Sequence, residues 1–548
     1  MSVDISTMVV IFCAAVASAI PMGRYISHVF KGEPVFTDFM RPLEERIFKF
    51  CRIDAHHEMN WKENSIALLK LNLVFFIWGF ILLLMQGVIP FMNPDGKSAL
   101  NPALAFHTIA SFVTNTDQQH YSGEVDLSHF SQIMVIVFLQ FVSAATGIAA
   151  FGLLLVGLKK RSSHEMGNFY LYFVKSVTRI LLPVSLVIAF LLLILGTPNN
   201  FEATQKFATL GGDSTGVAMG PVATITAIKQ VGTNGGGFYG TNSAHPFENI
   251  SFLTNAVENF AILFLPLALV FTFGYFLDQK KLAKSFFIIM TVIFISFTSV
   301  AVISGTSGAH PMEGKEVRIG TVLSAFWGVS TTSTSNGSVN SMLDSHQPVS
   351  QTVYLADMMV NAIYGGVGVG MINFILYVIL AAFIAGLMVG RMPEFLGKKI
   401  EGNEIKIAVL TVLIHPLLIL GGTAIAVVFG PEVVGGHAFH QFSRVLYEFT
   451  SASANNGSGL EGLADNNLFW NISTGVVMLL GRYIPVIGPL AIAGSFAAKN
   501  VVPASAGTLD TSGVSFSLVI FGVIVVVAAL SFFPVIAVGP LAASPGSW

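Results

Sequence analysis

Long apolar runs alternate with short polar ones along this chain. The stretches 71–86, 133–158, 180–195 and 286–303 carry almost no charge. With their flanks, each is long enough to cross a hydrocarbon core of roughly 30 Å. Backbone groups in lipid must be satisfied inside the segment, so these runs predict helices; barrel strands would alternate apolar with polar residues and be shorter. Ten spans fit the pattern, near residues 3–27, 66–92, 130–158, 168–196, 250–277, 282–304, 351–390, 405–430, 468–497 and 513–540. The fold class is all-α and polytopic.

The polar segments repeat. Four runs rich in Asn, Thr, Ser and Gly read VTNTD at 113–117, GTNGG at 232–236, STSNG at 333–337 and ANNGS at 454–458. Each follows about ten residues of helix-like sequence, 103–113, 221–231, 321–330 and 442–451, too short to cross. The unit is span, short re-entrant helix, polar loop, span, and it recurs about every 100 to 120 residues. The chain divides into an extra N-terminal span with its loop (1–65), four repeats (66–162, 163–280, 281–400, 401–500) and an extra C-terminal span (501–548). Four inexact repeats in one chain predict a pseudo-fourfold ring.

Re-entrant backbone at membrane depth survives only where it is buried in protein or lines water. A short helix entering from outside points its partially negative C-terminal end toward the membrane centre, and four converging ends favour a cation. Glycine lets the loop turn its carbonyl oxygens inward, and rings of carbonyls replace the hydration shell of an ion. Oxygens of Thr116, Asn234 and Asn456 are expected to supplement the carbonyls or to brace the loops. A single Asn-Gly is most often an ordinary turn; four at matching places make a pore the better reading. Loop one departs from the rest, with Asp117 where the others carry Gly235, Gly337 and Gly457. A direct or supporting role for this carboxylate is expected. No loop contains Gly-Tyr-Gly, and spacing alone does not name the ion.

Composition agrees with a membrane class: 53% of residues are hydrophobic and 11% charged, far fewer charges than a soluble surface of this length needs. By position, 21 of the 28 Lys and Arg fall on one side of the spans, which assigns that side to the cytoplasm and the N-terminus to the outside. The first residues lack the basic start of a cleaved signal, so an uncleaved first span is expected. A net charge of −2 says little about partners; no basic stripe with interleaved aromatics occurs, so no nucleic acid is expected, and the lipid bilayer is. Cys13 and Cys51 have no metal spacing and are expected to be buried or inert thiols.

The segments 113–122 (VTNTDQQHYS), 232–249 (GTNGGGFYGTNSAHPFEN), 338–345 (SVNSMLDS), 390–399 (GRMPEFLGKK) and 451–458 (SASANNGS) resemble the KdpA family, the potassium-binding subunits of bacterial Kdp potassium-transporting ATPases. The likeness runs along essentially the whole chain. It implies a potassium-transporter superfamily fold in the bacterial inner membrane, with K+ as the bound ion. It also implies assembly with a P-type ATPase subunit (KdpB) that uses ATP and Mg2+, a single-span subunit (KdpC) and a small peptide (KdpF). Carried over residue by residue, the family's filter falls on Asn115-Thr116-Asp117, Thr233-Asn234-Gly235, Ser335-Asn336-Gly337 and Asn455-Asn456-Gly457, with Gln119 linked to potassium affinity.

No Asp-Lys-Thr-Gly-Thr occurs, and Gly96-Lys97-Ser98 lacks the first glycine of a Walker A motif, Phe91 standing in its place. His56-His57-Glu58 has no zinc-protease arrangement and reads as a solvated loop. The chain is therefore expected to be a non-catalytic subunit whose energy comes from elsewhere. Two features bear on coupling. The stretch 351–390 is nearly twice the length of one span, and Gly365, Gly366, Gly368 and Gly370 make its middle a poor helix interior. A break beneath the third loop is expected there, forming a gate or a wall of the exit path. Arg482 lies mid-span, where a charge must face protein or water, and a fixed positive charge below the loops opposes free conduction. Asp357 is a weaker candidate for an ion-path contact, while Glu248 and Glu258 read as structural. The main competing reading is a free-standing Trk-like potassium channel or uptake protein. A secondary transporter would show two inverted halves instead of four units in one direction.

Overall fold

The computed structural model describes residues 2–208, 210–307, 312–433, 435–501 and 513–543. Residues 502–512 and 544–548, part of the C-terminal segment anticipated from the sequence, lie outside the described residues.

Four helical units follow one another, each with the same internal order. The first holds α2 (Trp61–Val88), the short α3 (Pro102–Val113) and α4 (His129–Lys159). The second holds α5 (Phe169–Ile194), α6 (Val222–Val231) and α7 (Phe252–Phe276). The third holds α8 (Lys280–Ser307), α9 (Gly320–Ser333), α10 (Pro348–Val360) and α11 (Val369–Val389). The fourth holds α12 (Gly402–Phe429), α13 (Ala438–Ala454) and α14 (Leu468–Ala498). The first helix, α1 (Val3–Lys31), packs along α7, and the last, α15 (Val514–Val538), against α10 and α11. Ten of these helices are long and apolar enough to cross a membrane, matching the number of spans read from the sequence.

Local sequence sets the helix starts. Asn60 accepts hydrogen bonds from the backbone N–H groups of Lys62 and Glu63, while the Glu63 carboxylate accepts one from the Asn60 N–H, closing a capping box at α2. Asn101 caps α3 directly before Pro102, whose missing N–H costs nothing in a first turn. Between spans, the short helix Arg41–Cys51 docks through Glu44, which pairs with Arg179 of α5 at 2.5 Å. Two small antiparallel hairpins decorate the connections. In one, β1 (Gln205–Ala208) pairs with β2 (Ser214–Val217), Gln205 opposite Val217; in the other, β3 (Glu394–Phe395) pairs with β4 (Lys398–Lys399), Glu394 opposite Lys399.

The seventh span is not one helix. It stops at Val360, and an irregular segment over residues 361–368 separates α10 from α11. Asn361, Tyr364, Gly365 and Gly368 all take positive φ there, so the chain is turned rather than tilted. Two further outcomes concern single residues. Of the two alternatives for the thiols, buried or inert, the first is corrected, since Cys13 and Cys51 are both exposed: Cys13 is on an outward face of α1 and Cys51 ends the short helix after it. His56, His57 and Glu58 are solvent-facing, and Glu58 pairs with Lys160.

Candidate ion-binding site

The four short helices α3, α6, α9 and α13 end in the four polar loops, and each end is built alike. The backbone N–H of Thr116 donates to the Ser111 carbonyl at 3.0 Å, Asn234 to Lys229 at 2.8 Å, Asn336 to Thr331 at 2.9 Å and Asn456 to Ser451 at 2.9 Å. In every loop the acceptor stands five residues before the donor. These bonds satisfy carbonyls that a helix end otherwise leaves open, and they turn the loop amides back toward the helix.

The backbone then alternates in hand. Positive φ falls on the first and third residue of each triplet: Asn115 and Asp117, Thr233 and Gly235, Ser335 and Gly337, Asn455 and Gly457. An extended strand points successive carbonyls to opposite sides. Alternating left- and right-handed residues bring them to one side instead. Asp117, at φ +52°, takes the same left-handed conformation as the three glycines, so the sequence departure in loop one does not break the backbone pattern. A residue with a Cβ pays roughly 1–2 kcal/mol for that conformation.

The loops close on one another. A Cβ on Gly235 would lie 1.9 Å from the Asn336 carbonyl oxygen, one on Gly337 would lie 2.1 Å from that of Asn456, and one on Gly457 would lie 2.0 Å from that of Thr116. Loop two thus meets three, three meets four and four meets one. The remaining contact runs from loop one to loop two, where the Asn115 side-chain amide donates to the Thr233 carbonyl at 2.7 Å. All twelve triplet residues lie in this one ring.

Side chains brace the ring. The Asn336 and Asn456 amides donate to the Lys229 and Thr331 carbonyls of the preceding units, at 3.1 and 2.8 Å. Asn234 donates to Asn115 Oδ1 at 2.9 Å, and Asn455 to Thr116 Oγ1 at 2.9 Å. Gln119 reaches loop two twice, donating to the Gly237 carbonyl and accepting from the Gly237 N–H. Asp117 Oδ2 accepts from Gln140 Nε2 at 3.1 Å, whereas its Oδ1 is buried without a hydrogen bond. Asp357 sits beside the end of α9, accepting from Thr332 and Ser333 at 2.8 and 2.5 Å.

Helix α4 serves as a depth gauge. Gln140 touches Asp117 and the Gly236 carbonyl, Ser143 touches Asn234, and Gly147 abuts the broken span, where a Cβ would lie 2.4 Å from the Val367 carbonyl oxygen. At 1.5 Å per residue, the segment 361–368 therefore lies about 10 Å along α4 from the level of Asp117 and Gly236. It is tied to the loops above by the Gly365 N–H on the Ser333 carbonyl at 2.7 Å and by the Val367 N–H on Thr233 Oγ1 at 3.0 Å. Gly368 lets it pass α4, since a Cβ there would sit 2.1 Å from the Gly147 carbonyl oxygen, and Gly370 packs on Gly365 in the first turn of α11. Arg482 is at the same depth. Its Nη2 donates to the Ser143 carbonyl at 3.0 Å, its Nε has no partner, and no carboxylate among the described residues lies within ion-pairing distance.

Sequence reading passed over the support behind loop two. Lys229 is fully buried; its Nζ donates to Asn242 Oδ1 and Ser243 Oγ at 2.7 Å each and pairs with Glu248. Asn242 in turn donates to the Gly235 carbonyl at 2.5 Å, and Glu258 accepts from Ser243 and Gln230. A lone lysine in the last turn of an otherwise uncharged short helix was the available signal.

Known proteins agree with this architecture. A family model described as the potassium-transporting ATPase A subunit, KdpA, matches residues 9–544. Relatives named potassium-transporting ATPase potassium-binding subunit include proteins of Flavobacterium johnsoniae, 49% identical, and Flavobacterium psychrophilum, 48% identical, each with 99% of both chains covered. A protein of Geobacillus kaustophilus with the same name is 43% identical over 98% of both chains. The solved potassium transporter TrkH from Vibrio parahaemolyticus superposes with a TM-score of 0.51 at 15% identity, covering 88% of this chain and 97% of its own, which is a likeness of fold. With a family model spanning nearly its whole length and relatives this similar, the chain belongs to the KdpA family.

Proposed function

We propose that this chain takes potassium from outside into the ring of four loops and passes it to a partner P-type ATPase subunit, which drives uptake with ATP and Mg2+. The observation that carries the reading is the ring itself: four loops of one backbone hand, closed head to tail, at the ends of four buried helices. Carbonyls gathered on one side replace the hydration shell of a monovalent cation, and the helix ends add negative potential. Potassium as the ion follows from the names of the relatives. The same names give the role of a non-catalytic subunit of an ATPase complex, and to this we add KdpB, KdpC and KdpF as the partners and a bacterial inner membrane as the setting. The charge asymmetry of the loops supports an outside N-terminus.

A free-standing Trk-like channel shares the fold, but two observations favour a pump inlet. The segment 361–368 crosses inward of the ring, and Arg482 adds an incompletely bonded positive charge there. A straight path is thereby opposed. A small cavity of about 30 Å³, lined by Asn361, Asn373, His415 and Ser453, lies between units three and four, and it supports a sideways exit.

The deciding measurement is potassium-stimulated ATPase activity of the purified assembly against this chain alone. Activity in the assembly only is expected; a chain that conducts potassium by itself without a P-type partner overturns the pump reading. Gly235→Asp places atoms where the Asn336 carbonyl stands. It is expected to weaken potassium activation at least tenfold, about 1.4 kcal/mol, and to lower selectivity over rubidium and ammonium. Unchanged selectivity removes the ring as the filter.

A further inference from the structure

Behind loops one and four lies a cluster that the ring does not use. His120 follows loop one by three residues, Glu448 is on α13, and Asp465 is in the connection to α14. The three offer one ligand atom each, all within 4.8 Å of one another. His120 Nε2 stands 3.1 Å from Glu448 Oε1 and 3.8 Å from Asp465 Oδ2.

The hydrogen bonds around His120 fix what that nitrogen can do. Asn471 Nδ2 donates to Asn466, which leaves Asn471 Oδ1 facing His120 Nδ1 at 2.8 Å. An amide oxygen only accepts, so Nδ1 carries the ring proton. Nε2 then faces two carboxylates, and that place is filled either by a second ring proton or by a metal cation. A histidine oriented through its second nitrogen is also the usual form of a metal ligand.

A second observation is independent of the first. His107 is fully buried, stacks on His120 with ring centroids 3.6 Å apart, and neither of its ring nitrogens has a hydrogen-bond partner. Gln118 Oε1, likewise buried and outside hydrogen-bond distance of a donor, is the polar neighbour of the His107 ring. Buried polar atoms without partners are costly, and here they gather beside the one cluster of its kind among the described residues.

We propose that His120 Nε2, Glu448 Oε1 and Asp465 Oδ2 form an outward-opening site for one divalent transition-metal ion, Zn2+ fitting best. Tetrahedral zinc with bonds of about 2.0–2.1 Å separates its ligands by about 3.3 Å, between the two distances found. One nitrogen and two carboxylate donors suit zinc better than potassium, and the fourth position is left to water. Asp465, about one-third exposed, is the mouth. Glu448 is also the acceptor for Gln118 Nε2 at 2.7 Å, and Gln118 adjoins Asp117. Metal binding competes for that oxygen, so occupancy acts on the first strand of the ring.

The test uses the full chain purified in its native assembly, stripped with a chelator and titrated with Zn2+ by calorimetry and with Co2+ by its d–d absorption. One ion per chain at micromolar affinity is expected, weakened by about tenfold or more in His120→Gln and in Asp465→Asn. Asp465→Asn is the safeguard against misfolding, because its side chain is partly exposed and it should keep full potassium-stimulated activity without added metal. No stoichiometric binding of either metal, or binding unchanged in Asp465→Asn, overturns the proposal and leaves a proton as the occupant. The binding readout stands apart from the transport reading, so either can fail alone.

Discussion

Lys229 and Arg482 are both buried cations beside the ring, yet the protein treats them oppositely. Lys229 has three side-chain partners, including a carboxylate, and no part of it reaches solvent. Arg482 has one hydrogen bond, to a backbone carbonyl, and an unpartnered Nε. A buried charge with all its donors met is a brace, since removing either partner strands the other. One that is under-satisfied costs stability and persists for what its field does. The first holds Asn242 against the Gly235 carbonyl and so shapes loop two. The second stands inward of the ring, at the depth of the broken span.

The comparison is broken most directly at Lys229. Lys229→Met leaves Glu248 buried and unpaired, and a loss of about 3–5 kcal/mol is expected, read as a large drop in thermal stability in detergent. Adding Glu248→Gln to that variant should recover a good part of it. Arg482→Gln should do the reverse: stability within about 1 kcal/mol of the parent, but more ATP hydrolysed per ion moved by the assembly. Equal destabilisation by the two substitutions, or normal stoichiometry in Arg482→Gln, ends the distinction.

Asp117→Asn sharpens it from the anionic side. The change keeps the shape of loop one and replaces a carboxyl oxygen, Oδ1 having no hydrogen bond, so a loss of potassium affinity of about 1 kcal/mol, roughly fivefold, is expected in potassium-activation curves. No change would make Asp117 another brace.

The smallest effect is expected at Asp344, in the connection after loop three. Burial alone would raise its carboxyl, but His440 and Arg444 hold it below the ordinary 3.8, Arg444 Nη2 lying 2.6 Å away. A depressed folded value stabilises above the ordinary one and is lost as pH falls through it. The melting temperature should therefore drop more steeply between about pH 5 and pH 3 in the parent than in Asp344→Asn. Parallel curves would mean that the pair adds nothing.

Much of this molecule could be read from local pattern. Apolar stretches marked the spans, and the four Asn- and Gly-rich runs marked the ends of α3, α6, α9 and α13. The glycines at 365–370 marked the interruption, although the turned segment begins earlier, at Asn361. Asp117 misled in one respect. Its side chain differs from the glycines of the other loops, but its backbone keeps their hand, because the same helix-end hydrogen bond fixes it. Lys229 was not legible at all: its burial depends on Glu248 and Asn242, which arrive from later in the chain.

By itself, then, the sequence determined what is set by composition and short-range periodicity: helices, their approximate bounds, the fourfold repeat and the weak point in the seventh span. Hydrophobic length and backbone propensity act over a few turns and are written where they act. Only the tertiary structure decided the head-to-tail order of the loops, the partner of Lys229, the isolation of Arg482 and the meeting of His120 with Glu448 and Asp465. Those depend on contacts between residues more than a hundred positions apart in most cases, and such contacts are fixed by how whole units pack.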